Sequence, residues 1–277
     1  MFEGQVGSMA ETAAASTPAI AVNQLEKTYA TQDGVNVAAL GPVTLAIADH
    51  QFVSVVGPSG CGKSTFLKII AGLVPPGAGR VTIHGEEVRA PPPNIGMVFQ
   101  SPVLLPWKTV LENVLLPIQI KKRPVAEFRD KALDLLALVG LREFHNCYPH
   151  ELSGGMQQRA GIVRALIGDP DILLMDEPFG ALDAITRDQM NVDLLEIWAR
   201  TRKTVLFITH GIAESVFLSD RVIVFSNRPG RVIEEFVVDL PRPRHIQQTT
   251  LPAFGNAVAK IRLALERGVP FASQRMQ

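Results

Sequence analysis

Two cysteines in 277 residues are too few for a disulfide framework. One of them, Cys61, lies inside a glycine-rich loop where a bridge would be disruptive. The expected setting is reducing and cytoplasmic. Neither sign of charge is in excess: Lys and Arg number 27, Asp and Glu 27, for a formal net charge of +0. That argues against a nucleic-acid partner, because nucleic-acid binders usually show a basic surplus. No run of about 18 consecutive apolar residues occurs, so nothing is expected to span a bilayer. The N-terminus has no basic region followed by an apolar block, hence no expected secretory signal. A role at a membrane would therefore need a partner to hold the chain there. What the chain has is apolar mass. Hydrophobic residues make up 47 % against 19 % charged, enough for a sizeable core in one large domain or two modest ones.

The stretch GPSGCGKST, residues 57–65, fits the pattern G-x-x-x-x-G-K-[ST] through Gly57, Gly62, Lys63 and Ser64. Gly57, Gly60 and Gly62 free the backbone to turn successive N–H groups onto one anion. The helix expected at 65–73 aims its positive end at the same point. Residues 51–56 (QFVSVV) read as a short buried strand before it, which is the context this motif requires. Lys63 would then reach the outer phosphates of a nucleotide and the Ser64 hydroxyl would sit on Mg²⁺. Cys61 reads either as an oxidation-sensitive thiol beside the phosphates or as a small filler residue.

Residues 1–18, rich in Ala, Ser, Thr and Gly, read as a disordered tail. Strands are expected at 20–27, 35–40 and 43–48, the last two separated by Gly41-Pro42, and again at 80–83 and 95–99. Tyr29, at the end of the first, is either a packing residue or a ring that stacks on a purine. From 101 the character turns helical. In 125–139, Val125, Phe128, Ala132, Leu135, Leu136 and Val139 share one face. Ser153 precedes Gly154, Gly155 and a long helical stretch at 156–167, so it caps a helix start bare enough for another body to approach.

The apolar run 172–175 (ILLM) ends in Asp176-Glu177-Pro178. A buried strand ending in two acids places them at the ligand-binding edge of an α/β sheet, pointing to opposite sides. Asp176 can hold Mg²⁺ and Glu177 can face water. A second buried run, 204–208, leads to Thr209 and His210, again at a strand's end. A helix is expected at 184–200, strands at 221–225 and 231–238 around the turn NRPG, a loop at PRPRH, and a terminal helix at 252–267.

Taken together, GPSGCGKST, Gln100, LSGGMQQR at 152–159, ILLMDEP at 172–178, ALD ending at Asp183, and His210 resemble the nucleotide-binding subunit of an ATP-binding cassette transporter. The resemblance covers residues 20–238. It implies an α/β fold: a P-loop NTPase (RecA-like) core, an N-terminal antiparallel β-subdomain and an α-helical insertion subdomain at about 101–168, together 19–245, then a C-terminal helical tail at 246–277. It further implies ATP and Mg²⁺ as ligands. ATP would be held by Tyr29, by Gly57, Pro58, Ser59, Gly60, Cys61, Gly62, Lys63, Ser64 and Thr65, and across a subunit boundary by Ser153, Gly154, Gly155 and Asp183. Ser64, Gln100 and Asp176 would serve the metal; Glu177, His210, Gln100 and Lys63 would serve hydrolysis. Met156 departs from the glutamine usual after LSGG, but the phosphate contacts expected there come from the serine and glycines.

Stretches 100–114 and 228–244 look like the ATPases of nitrate, aliphatic sulfonate and taurine importers. This implies a head-to-tail pair of chains, permease subunits, an external substrate-binding protein, and a place on the cytoplasmic face of the plasma (inner) membrane. Importers of bicarbonate or vitamin precursors share similar text; a lipid transporter or a soluble mechanical ATPase is the other alternative. Leu104, Leu105 and Trp107 are expected either to receive a helix of the permease or to pack within the helical insertion.

Overall fold

The computed structural model describes residues 17–30 and 33–268. The expectation for the tail at 1–18 falls almost wholly outside them. Two sheets and seven α-helices follow in the order β1 (Ile20–Ala30), β2 (Asn36–Ile47), β3 (Phe52–Val56), α1 (Lys63–Ile70), β4 (Ala78–Ile83), β5 (Glu86–Glu87) and β6 (Ile95–Val98). Then come α2 (Val110–Ile120), α3 (Arg129–Leu138), α4 (Gly154–Leu166), β7 (Ile172–Asp176), α5 (Ala184–Thr201) and β8 (Thr204–Thr209). The described residues end with α6 (Ile212–Leu218), β9 (Arg221–Phe225), β10 (Val232–Val237) and α7 (Pro252–Arg267).

The larger sheet has the order β10-β9-β3-β8-β7-β6, parallel throughout except for β10. Its central strands β7 and β8 read as near-continuous apolar runs because both faces are covered. Val205 and Phe207 of β8 join the core under the helices, while Leu206 and Ile208 join the core around α1; β7 and β9 alternate in the same way. The smaller sheet, β2-β1-β4-β5, is antiparallel and closes over the other side of α1. Helix α1, with Phe66, Leu67, Ile69 and Ile70 buried, is thus clamped between two sheets. Helices α2, α3 and α4 form the insertion between β6 and β7.

The register sets the site. Val56 of β3 pairs with Thr209 of β8, and Ile208 pairs with Asp176 of β7. Three parallel strands therefore end flush, and the residues just past them emerge at one edge.

Gly41-Pro42 does not divide a strand: β2 runs through it. Strand β2 is an edge, and the pairing slips around Leu25 to Lys27, so the proline sits at a bulge where no N–H is required. Residues 125–139 open as a 3₁₀ turn, Val125–Phe128, before α3. The shared face holds: Ala132, Leu136 and Val139 are buried, with Val125, Phe128 and Leu135 packed against them. Helix α6, directly after His210, was not expected. At seven residues it is shorter than a periodic pattern needs. Helix α7 buries Phe254, Ile261 and Ala264 in the main core, so the described part of the C-terminal tail packs on the ATP-motif domain.

Candidate active site

The loop 57–65 leaves β3 and enters α1 at Gly62, whose φ is 108°. A Cβ there would lie 2.4 Å from the Ala39 carbonyl oxygen of β2. Only glycine satisfies both the dihedral and the approach. The turn between β9 and β10 braces the same loop. Gly230 N–H donates to Ala39 O at 3.1 Å and Gly41 N–H donates to Gly230 O at 3.0 Å. A Cβ on Gly230 would strike the Cys61 carbonyl oxygen at 2.3 Å. The first-turn N–H groups of α1 have no acceptor within the helix, so the braced loop offers them to an anion. Gly62→Ala is expected to weaken ATP binding at least about tenfold and to cost roughly 1–3 kcal/mol of stability from the strained position. Nucleotide titration and thermal melting check it; unchanged binding would show that the loop can shift.

Lys63 is buried, 4 % exposed, and its ammonium donates to Gly57 O at 2.8 Å and Pro58 O at 3.0 Å. It also lies 3.7 Å from Glu177 Oε1. Ser64 Oγ donates to Asp176 Oδ1 at 2.9 Å. Burial raises the Asp176 carboxyl above its ordinary range, and the Ser64 hydrogen bond pulls it partly back. The pair presents two hard oxygens beside the phosphate loop. Mg²⁺ takes one or two protein oxygens and completes its shell with phosphate and water, so these residues fit it.

Glu177 has a φ of 44°, a left-handed backbone held by its N–H donating to Ile208 O at 2.9 Å. Such strain in a non-glycine residue persists where its surroundings over-determine it. Its Oε2 lies 3.1 Å from His210 Nδ1. The base of that histidine loop is tied down. Thr209 Oγ accepts from Gly211 N–H at 2.9 Å and donates to Glu214 Oε2. Burial raises the Glu214 carboxyl, opposed by the Thr209 bond.

Tyr29, Gly60, Gly62, Lys63, Ser64, Thr65 and Glu177 line one open cleft, together with Ala39 and Arg228. Tyr29 is 38 % exposed there, with Lys27 Nζ 5.3 Å from its ring centroid. Arg228 was missed by sequence reasoning, which took NRPG for a hairpin turn alone; its Nε donates to Ala38 O at 3.3 Å. Thr209 and Glu214 were missed as well.

Four expected residues, Ser153, Gly154, Gly155 and Asp183, stand apart from this cleft. Ser153 caps α4, accepting from Met156 N–H at 3.3 Å. A Cβ on Gly154 would meet open space, and one on Gly155 would lie 2.9 Å from Thr186 Cγ2. Asp183 caps α5 by accepting from Thr186 N–H at 3.0 Å, and the Thr186 hydrogen bonds hold its carboxylate below the usual range. These residues thus form a second, exposed group at the joined starts of α4 and α5. Gln100 follows β6; a Cβ on Gly180, in the loop after Glu177, would lie 3.5 Å from its Nε2.

Cys61 is 1 % exposed, and burial raises its thiol pKa against the pull of Lys63. The filler reading fits and the reactive-thiol reading does not. With a disulfide reagent under native conditions, Cys147 is expected to react and Cys61 to lag at least about tenfold. Equal rates would restore the redox reading.

A phosphate loop, a strand-end acid pair and a strand-end histidine on a β3-centred parallel sheet define a nucleotide-hydrolysing P-loop protein. Comparison narrows the class. The profile of the family described as "ABC transporter" matches residues 40–180, and the chain belongs to that family. It is 51 % identical over 214 residues to the taurine import ATP-binding protein TauB of Rhizobium johnstonii, covering 77 % of this chain and 82 % of that one. It is 42 % identical over 225 residues to the aliphatic sulfonates import ATP-binding protein SsuB of Bacillus cereus, covering 81 % and 88 %. Among solved structures, the dimeric post-hydrolysis state of the ATP-binding cassette MJ0796, bound to ADP and Pi, is similar, with a TM-score of 0.68 at 34 % identity, covering 80 % of this chain and all of that one. The chain is a cassette ATPase with the P-loop core, antiparallel sheet and helical insertion of its family.

Proposed function

We propose that this chain is the ATP-hydrolysing subunit of an importer for a small organic sulfonate such as taurine. One observation carries the ATPase half: Lys63, Glu177 and His210 converge beside the Ser64–Asp176 pair at a flush strand edge. The phosphate loop and Lys63 hold the terminal phosphates, and Tyr29 stacks on the base. Glu177 orients water and takes its proton, with His210 fixing the carboxylate that receives it. Ser64, Asp176 and Gln100 would hold Mg²⁺, which would neutralise phosphate charge.

The separate group Ser153, Gly154, Gly155 and Asp183 supports a second copy as partner. The helix α4 it opens has no acid in its first turn and presents a bare N-terminus. In a head-to-tail pair, each such start would complete the partner's cleft. ATP then closes the pair and hydrolysis releases it.

Among the described residues no helix is long and apolar enough to cross a membrane. The membrane step therefore falls to permease subunits, with this chain docked at their cytoplasmic face and an external binding protein choosing the cargo. The structure divides the expected docking residues. Leu104 packs against the core, whereas Trp107 is 70 % exposed beside an apolar groove that Leu105 lines with Phe99, Val103 and Ile120. Crosslinking from position 107 to a permease tests the placement. The cargo is tested by deleting the gene. Uptake of labelled taurine or an alkanesulfonate should vanish and return with the wild-type chain but not with Lys63→Ala. Unchanged uptake of both would assign another cargo.

A further inference from the structure

The loop PRPRH does more than connect. With the C-terminal end of α5 it encloses a pocket of about 260 Å³ that shares no residue with the ATP cleft. Trp198 forms its aromatic wall, and Leu195, Ala199 and Pro243 add apolar surface. The indole is fixed by its own Nε1–H, which donates to Lys203 O at 2.8 Å.

Three guanidinium groups line this small space. Arg242 lies 4.1 Å from the Trp198 ring centroid and Arg202 lies 5.3 Å from it. Arg242 is paired with Asp220 at 2.8 Å. Arg244 is only 5 % exposed, and its hydrogen bonds all go to carbonyl oxygens, those of Val216, Phe217, Ser219, Val238 and Leu240. Among the described residues its Nε has no hydrogen-bond partner and no carboxylate forms a salt bridge with it. Burial, with Arg242 beside it, lowers its pKa to about 10. Arg202 is exposed, and among the described residues its side chain makes no hydrogen bond or ion pair. Against three cations stand Asp220, already engaged, and Glu196 on the rim. Arg244 is a buried cation whose opposing charge, Asp220, is already paired with Arg242, and a fixed indole beside a guanidinium without a carboxylate partner offers a stem and a head their separate places.

We propose that this pocket binds a small organic anion, a carboxylate or sulfonate on a short apolar stem. The stem lies on Trp198, Leu195 and Pro243, and the anionic head meets Arg202 beside Arg242. The volume limits the ligand to a few heavy atoms. The apolar walls disfavour a bare, strongly hydrated inorganic anion.

The test uses the full chain with Trp107→Phe, which leaves Trp198 as the single reporter, since the sequence has two tryptophans. A saturating non-hydrolysable ATP analogue with Mg²⁺ keeps the phosphate loop out of play. Propane-1-sulfonate, propionate, inorganic sulfate and 1-propanol are titrated at constant ionic strength while Trp198 fluorescence is read. A saturable change is expected with at least one organic anion, and which one responds separates sulfonate from carboxylate. Sulfate and propanol should give none. Arg202→Gln should weaken the response at least about tenfold, as loss of a charge-assisted contact does. Ala199→Glu, which adds a carboxylate on an exposed wall, should do the same. Both positions are exposed, and unchanged circular dichroism and analogue binding check the fold. The proposal fails if neither organic anion saturates by tens of millimolar. It also fails if sulfate or propanol responds as strongly, or if either variant keeps the parent midpoint.

Discussion

Glu177→Gln is expected to lower ATP turnover by about 10²–10⁴-fold while leaving ATP affinity within a few-fold of wild type. The substitution keeps shape and volume and removes only the charge and basicity. The backbone that aims the side chain is held independently, by the Glu177 N–H bond to Ile208 O and the flush pairing of Asp176 with Ile208. The cleft should therefore remain assembled, and its phosphate donors come from other residues. Lys63 loses a neighbour at 3.7 Å, but its bonds to Gly57 and Pro58 carbonyls persist, so nucleotide capture should survive. In the proposed head-to-tail pair, where hydrolysis would separate the chains, the variant should accumulate as an ATP-dependent dimer on gel filtration. Steady-state phosphate release and nucleotide titration measure the two halves separately. Turnover within tenfold of wild type would remove Glu177 from the role of base. Weak ATP binding would instead mean that its carboxylate holds the cleft together.

The parts of this site that could be read from sequence are those where local chemistry and burial agree. ILLM and VLFI, at 172–175 and 205–208, are apolar at every position because a parallel strand covered on both faces has no polar side to show. A chain that turns from such a run directly into Asp-Glu or Thr-His announces the sheet's edge. Ser153 was legible as a helix cap, and it caps α4 here, whereas the cap that Asp183 provides to α5 was not read from the sequence. What could not be read depends on contacts between distant segments. Gly41-Pro42 looks like a break until β1 is present to bulge against it. Arg228 enters the cleft only because Gly230 bridges to Ala39 and Gly41, a contact between opposite ends of the domain. PRPRH carries no periodicity, yet its two arginines tie off the end of α6 through the carbonyls of Leu218, Val216, Phe217 and Ser219. Helix α6, only seven residues long, thus has its last carbonyls satisfied from that distant loop.

Mixing two inactive variants should restore hydrolysis. Lys63→Ala disables the cleft of the chain that carries it. Ser153→Arg disables only the α4 start, which lies outside that cleft and, in a head-to-tail pair, serves the other chain. Each variant alone should be nearly inactive, because every site in either homodimer lacks one half. In a mixed dimer the faults fall together. The cleft with the altered lysine faces the altered serine, and the remaining cleft keeps its own Lys63 and meets an intact Ser153. Random pairing makes half the dimers mixed, each with one sound site of two, so recovery should approach about one quarter of the wild-type burst in a single-turnover assay. A burst reads one event per sound site and does not require the two sites to alternate. Ser153→Arg is a suitable probe because position 153 is exposed and its neighbour Gly154 faces open space, so the bulk projects outward and the fold loses only the α4 cap bond, about 1 kcal/mol. Asp183 sits in the same exposed group, and Asp183→Arg should substitute for Ser153→Arg in the mixture. If mixtures shown to contain mixed dimers release no more phosphate than the two variants measured apart, each chain does not lend its α4 start to the other, and the second, exposed group needs a different partner.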